Sequence, residues 1–204
     1  GAMKLIASLT SPYARKIRIA IAEKGLTCAL EVDIPWLPET NVPAYNPLGK
    51  VPALVADDGG VWYDSPVISL YLETLGGPPL MPVDRVANLP VRQTEALADG
   101  ITDAAVTAFL EARRPAGQQD ADTIERQLAK IQRGLAALEE RLLQRKGFGG
   151  ALINIADIAV GCTLGYLDFR FGHLHWRTTH PELSAWAAKL FARPSFASTV
   201  PPAV

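Results

Sequence analysis

The stretch Lys4-Leu5-Ile6-Ala7-Ser8-Leu9-Thr10-Ser11-Pro12-Tyr13-Ala14-Arg15 places a strand, a tight turn and a helix start next to one another. Lys4 to Ser8 is a short β-like run. Ser11 is a good N-cap, Pro12 falls at the first helical position where its missing N–H costs nothing, and Gly25 follows the end. A helix over Ser11 to Lys24 is therefore predicted. Its apolar stripe is Tyr13, Ile17, Ala20 and Ile21, with Arg15, Lys16, Arg18 and Glu23 mostly on the other side.

Working outward, Cys28 to Val32 reads as a second strand, followed by a loop holding Pro35, Trp36 and Pro38 and a helical turn over Asn41 to Tyr45. Ala53 to Ala56 and Val61 to Tyr63 are two further strands, joined by the hairpin signal Asp57-Asp58-Gly59-Gly60. Ser65 is expected to cap a helix over Pro66 to Leu75. The order βαβαββα is that of an α/β thioredoxin-like domain, assigned to residues 3–80. Gly1-Ala2 reads as a protease-cleavage scar outside the fold.

The Gly- and Pro-rich residues 76–83 form a linker. From residue 84 to 204 no strand pattern follows, so an all-α helical domain is expected. Its helices are Val86 to Arg113, Thr123 to Lys146, Ile155 to Phe171 and Pro181 to Phe191, before a Pro-rich tail. Ile124, Leu128, Ile131, Leu135, Leu138 and Leu142 alternate in steps of four and three; the repeat is short, which favours a bundle helix over a coiled coil. Asn154 and Asp157 form a capping box, with Ile153 and Ile158 as its hydrophobic staple. The helix that follows is apolar on nearly every side, so it should be buried.

Composition narrows the function. Over 204 residues, 20 Lys+Arg face 21 Asp+Glu, a net charge of -1 that argues against nucleic-acid binding. The chain is 49% apolar and 20% charged, as in a soluble globular protein. Two cysteines, Cys28 and Cys162, are too few for a disulfide framework or a zinc site, and a reduced, cytoplasmic location is expected. No stretch reaches the ~18 apolar residues of a membrane span, and no signal peptide is expected. His173, His175 and His180 lie close in sequence but read as exposed histidines, so no metal site is assigned.

Three short segments can carry chemistry. At the Thr10 to Arg15 turn a dithiol protein would place CxxC; Ser11 and Ala14 stand there instead, which excludes dithiol–disulfide chemistry by the protein itself. A hydroxyl at a helix N-terminus can still donate to an external thiolate, although Ser11 also reads simply as a cap. Asn46-Pro47-Leu48-Gly49-Lys50-Val51-Pro52-Ala53-Leu54 suggests a cis Pro52, which would turn the Val51 backbone toward an extended peptide ligand; a turn before an edge strand fits as well. Asp64-Ser65-Pro66, at a helix start, suits the two charges of an α-amino-acid group, or plain capping.

Taken together in this order, S-P-Y-A-R, N-P-L-G-K-V-P-A-L, D-S-P and the later N-I-A-D-I-A resemble the cytosolic glutathione transferase superfamily, nearest to bacterial members with a Thr-Ser-Pro-Tyr turn. The resemblance runs from Met3 to Phe196. It implies that Ser11 is the catalytic residue polarising the glutathione sulfur. By position, Val51 before Pro52 matches the backbone that pairs with the cysteinyl unit. Asp64 and Ser65 match the pair gripping the γ-glutamyl end, while Trp36 and Lys50 approach the glycyl carboxylate. Asp99 resembles an acidic residue reaching across a dimer interface, though a solvated helix-face Asp explains it too. Tyr13, Phe109, Arg113 and Tyr166 are candidates for the pocket of a second substrate, placed between the domains; core packing accounts for Phe109 and Tyr166 equally well.

The implied function is a cytoplasmic, homodimeric glutathione transferase of the detoxification type, conjugating glutathione to a hydrophobic electrophile. Glutathione would be co-substrate, and no tightly bound cofactor, metal, membrane or nucleic acid is implied. A glutathione-dependent disulfide reductase or peroxidase, and a non-catalytic interaction protein of the same fold, are the alternatives. Ser rather than Cys at position 11 tilts the balance toward transfer.

Overall fold

A computed structural model describes residues 2–145 and 148–203. Gly1 of the expected scar, the expected helix end at Lys146 and the last residue of the expected helical domain, Val204, lie outside the described residues. The chain divides into two compact units: residues up to Asp84 together with those from Arg193 onward, and Arg85–Ala192.

The first unit is built on a four-stranded sheet in the order β2-β1-β3-β4. In strand β1 (Lys4–Ala7) Leu5, Ile6 and Ala7 are apolar and buried on both faces, as suits a central strand. Helix α1 (Pro12–Lys24) returns the chain so that β2 (Ala29–Val32) pairs parallel to β1, with Ala7 opposite Val32. A one-turn helix, α2 (Val42–Tyr45), leads to β3 (Ala53–Val55) and β4 (Val61–Trp62), which pair antiparallel. Between them Gly59 takes φ +87° and the Asp58 carboxylate accepts from the Gly60 amide at 2.8 Å, closing the hairpin. At the end of α1, Gly25 adopts φ +65°; its amide reaches the Ala22 carbonyl, and the Leu26 amide reaches that of Ile21.

Three expectations for this unit are corrected. Arg15 and Lys16 are not on a solvent face: they are 5% and 1% exposed. The second correction explains the first for Arg15. The tail expected in the helical domain packs with the first unit and forms a short helix, α9 (Pro194–Ala197), against α1. Arg193 pairs with Glu23 at 2.6 Å and Phe196 is fully buried, so charge and apolar area both hold the segment there. Third, the N-cap of α3 (Ser65–Leu72) is Asp64 rather than Ser65, which is the first helical residue, and the regular helix stops before Leu75. Beyond it, the Glu73 carboxylate accepts from the Leu80 and Met81 amides and pairs with the buried Lys24 ammonium at 2.8 Å, fastening the linker.

The second unit is all helical. Helix α4 (Arg85–Ala112) accommodates Pro90 near its start, α5 (Ala121–Arg145) follows, and α6 (Ile155–Arg170) is buried over nearly its whole length. Ile131, Leu135, Leu138 and Leu142 of the α5 stripe join the common core with residues of α4, α6 and α8, so the bundle reading holds. Close approach of α4 and α5 needs Gly134, where a Cβ would stand 2.4 Å from the Ile101 side chain. The capping box is formed as read: Asn154 accepts from the Ala156 and Asp157 amides, and the Asp157 carboxylate accepts from the Asn154 amide at 3.0 Å. A 3₁₀ turn (Gly172–Leu174) and α7 (Trp176–Thr179), both missed in the sequence, precede α8 (Pro181–Phe191). His173 and His175 are exposed, but His180 is buried, with Nδ1 2.8 Å from the Glu139 carboxylate. Among the described residues no three potential ligands gather into a metal site. Nor is any described helix long and apolar enough to cross a membrane.

Candidate functional site

Strand register brings the three sequence segments to one end of the sheet. Ile6 of β1 faces Ala53 of β3, so the end of β1, which runs on to Ser11, lies beside Val51 and Pro52. Trp62 faces Leu54, so the chain leaving β4 through Tyr63, Asp64 and Ser65 emerges at that same end. The loop after β2, with Trp36, leaves there as well, because β2 is parallel to β1. Adjacent strands are about 4.8 Å apart, which separates the starts of α1 and α3, two strand positions apart, by roughly 10 Å. An extended tripeptide is about 10 Å long.

Ser11 sits at the helix cap in extended backbone, with φ -72° and ψ 120°. Its hydroxyl oxygen accepts from the Ala14 amide at 3.1 Å, and its carbonyl accepts from the Arg15 amide at 3.0 Å. With the oxygen engaged as an acceptor, the hydroxyl proton remains to be donated to an anion lying over the helix N-terminus. The chain's own thiols do not serve here. Cys162 is buried in α6, and the Cys28 thiol is pushed up to about 11, by burial first and by the Asp57 charge second.

The second segment is held by Asn46, whose side chain donates to the Lys50 carbonyl at 3.1 Å and accepts from the Leu48 amide at 2.9 Å. Gly49 supplies the positive φ, +67°, that this loop needs. The Val51-Pro52 bond is cis, as read; the Tyr63-Asp64 bond is cis too, and nothing in the sequence signalled it. Among the described residues, neither the amide nor the carbonyl of Val51 pairs with another backbone group. In the third segment Ser65 is 2% exposed whereas the Asp64 side chain lies open to solvent. Lys50 is exposed, Trp36 is 72% exposed, and Tyr13 is half-buried on the first turn of α1.

In the helical unit, Asp99 is half-buried on α4. Phe109, Arg113 and Tyr166, singled out separately, are gathered by a residue that sequence reasoning missed, Arg170. Its guanidinium lies 4.5 Å from the Phe109 ring centre and 4.0 Å from that of Phe169, while Arg113 lies 5.1 Å from Phe109. Burial raises the Tyr166 phenol, offset in part by the charge and hydrogen bond of Arg170 beside it. Among the described residues no carboxylate pairs with Arg113 or Arg170, and the Arg170 Nε is buried without a partner. A lone basic residue closing an otherwise apolar helix was the signal available.

The chain is similar to known proteins over nearly its whole length. Residues 10–75 match the family model described as glutathione S-transferase, N-terminal domain, and residues 121–189 match its C-terminal domain. The uncharacterized GST-like protein YibF of Escherichia coli K12 is 43% identical over 98% of this chain and 99% of its own length. A glutathione S-transferase from Methylobacillus flagellatus, solved with glutathione bound, is 46% identical, with a TM-score of 0.94 over 98% of this chain and 100% of that one. A family member from Pseudomonas fluorescens, solved with S-(propanoic acid)-glutathione, is 39% identical with a TM-score of 0.87 over 98% and 100% of the two chains. The chain belongs to the cytosolic glutathione transferase superfamily.

Proposed function

We propose that this chain is a cytoplasmic, homodimeric glutathione transferase: it binds glutathione along the open end of its sheet and conjugates the thiolate to an electrophilic carbon. The convergence of Ser11, Val51-Pro52 and Asp64-Ser65 on one sheet end carries the reading. The γ-glutamyl ammonium meets Asp64 and its carboxylate meets the start of α3 at Ser65. Val51 pairs with the cysteinyl backbone, and Trp36 and Lys50 lie toward the glycyl end. Ser11 donates to the sulfur, and the N-terminus of α1 favours the negative form, so the proton leaves to solvent and a thiolate stands ready at neutral pH. The sulfur lone pair forms the C–S bond. A leaving group departs with its electron pair, or the adjacent carbon of an activated alkene takes a proton from water.

Asp99 is assigned to the γ-glutamyl amine of the partner copy. Phe109, Arg113 and Tyr166, with Arg170, serve the second substrate. Two guanidinium groups over one phenyl ring suit an electrophile with a small apolar body and a carboxylate. The Pseudomonas relative holds a glutathione whose sulfur bears such a group. Calorimetric titration with glutathione tests the reading. Binding by the parent, weakened about tenfold or more in Ser65→Ala, is expected, since a hydrogen bond to a charged group is lost. A folded parent that binds no glutathione refutes it. With an electrophile present, a thioether product identifies transfer, and oxidised glutathione would identify reduction instead.

A further inference from the structure

Resting on the reading that Ser11 activates glutathione, we propose that the C-terminal segment from Arg193 to Thr199 positions that hydroxyl through Arg15. The segment holds α1 at both ends. At the far end, the Glu23 carboxylate accepts from the Arg193 guanidinium at 2.6 Å and from the Ser195 hydroxyl at 2.5 Å. Nearer the site, the Arg15 Nε donates to the Thr199 Oγ1 at 3.1 Å, and its Nη2 donates to the Phe196 carbonyl at 2.9 Å. The guanidinium also lies 5.5 Å from the centre of the buried Phe196 ring.

Arg15 stands four residues after Ser11, so both lie on one face of the helix. Its main chain completes the link, because its amide donates to the Ser11 carbonyl at 3.0 Å. A continuous path thus runs from the tail carbonyl through the guanidinium and the first helical hydrogen bond to the capping serine. Arg15, Ser195, Phe196 and Thr199 are all buried, where a hydrogen bond is stiff and a lost partner is not replaced by water. Thr199 is fixed in turn, donating to the Ser195 carbonyl at 2.8 Å. A donor to sulfur must be held to within about half an ångström to act, so whatever fixes the first turn of α1 fixes the donor.

Thr199→Val in the full chain tests this, since it removes one acceptor of Arg15 at nearly constant volume. Three quantities are read: glutathione affinity by calorimetry, kcat with an electrophile, and the pKa of the bound thiol from thiolate ultraviolet absorbance against pH. Affinity within about twofold of the parent, kcat lower by about fivefold and a raised bound-thiol pKa are expected, on the scale of one hydrogen bond. Thr199→Ser, which restores the hydroxyl, should return both kinetic and titration values to those of the parent. If Thr199→Val folds poorly, Arg15→Lys replaces it; the buried charge stays, the paired geometry toward the Thr199 hydroxyl and the Phe196 carbonyl goes, and the same shift is expected. A folded variant with parental kcat and thiol pKa overturns the positioning role while leaving glutathione binding intact. A parent that binds no glutathione overturns both.

Discussion

On the proposed function Ser11 has two separable jobs, and substitution can take them apart. As a cap, its oxygen satisfies the Ala14 amide at 3.1 Å; losing that acceptor costs about 1 kcal/mol. As the proposed thiol donor, it would add a charge-assisted hydrogen bond worth about 1.5–3 kcal/mol, or roughly 10- to 100-fold in rate. Ser11→Ala should lose both: Tm falls by about 2–4 °C for a chain of this size, and kcat/KM drops by at least tenfold. Ser11→Asp distinguishes the roles. Its carboxylate is a good cap and sits favourably at the helix N-terminus, so stability should equal or exceed that of the parent. Yet it offers no proton at neutral pH and sets a negative charge beside the sulfur, which raises the bound-thiol pKa and should leave less activity than Ser11→Ala. Thermal denaturation and the thiolate titration give the two readouts on the same samples. If activity follows Tm across the three proteins, so that Ser11→Asp is as active as the parent, Ser11 is a cap and nothing more.

Other consequences follow from the geometry. Asn154→Ala removes the acceptor for two buried amides at the start of α6, and should cost about 1–2 kcal/mol in urea denaturation while glutathione affinity of the folded protein holds. With the Cys28 thiol raised from 9.0 to about 11, its thiolate fraction at neutral pH is about 100-fold below that of an ordinary cysteine, so iodoacetamide should label it correspondingly slowly. The same shift makes stability fall as pH climbs from about 9 toward 11, where the unfolded thiol ionises first, and Cys28→Ala should flatten that loss. Arg170→Leu should raise KM roughly tenfold or more for a carboxylate-bearing electrophile and leave that for its neutral amide unchanged; equal effects on both would remove the charge from the argument.

What was legible in the sequence was local. Ser11-Pro12 and Gly25 bound α1, Asn154 to Asp157 announce their own capping box, and Asp57 to Gly60 close a hairpin, because each is decided by residues within a turn of one another. Strand order then follows from few choices, since a βαβ crossover forces β2 parallel beside β1 and the hairpin adds β3 and β4. The start of α3 was displaced because Asp64 and Ser65 are both good caps, and propensity does not rank them.

Long-range partners were not legible, and the site depends on them. Arg15 and Lys16 are charged residues at positions that, by composition, belong to a wet face; burial there requires partners that no helical period announces. Two partners of the Arg15 guanidinium lie more than 180 residues away, in a Pro-containing stretch that reads as a loose tail. Arg170 was overlooked for a related reason. On its own helix it is an ordinary C-terminal cation, and only Phe109 of α4 and Arg113 just beyond that helix, brought alongside by packing, turn it into half of a paired cationic patch. A motif fixes which atoms face a ligand. Buried polar side chains from distant segments fix how firmly they are held, so substitutions at Thr199 or Arg170 test the site where motif reading is silent.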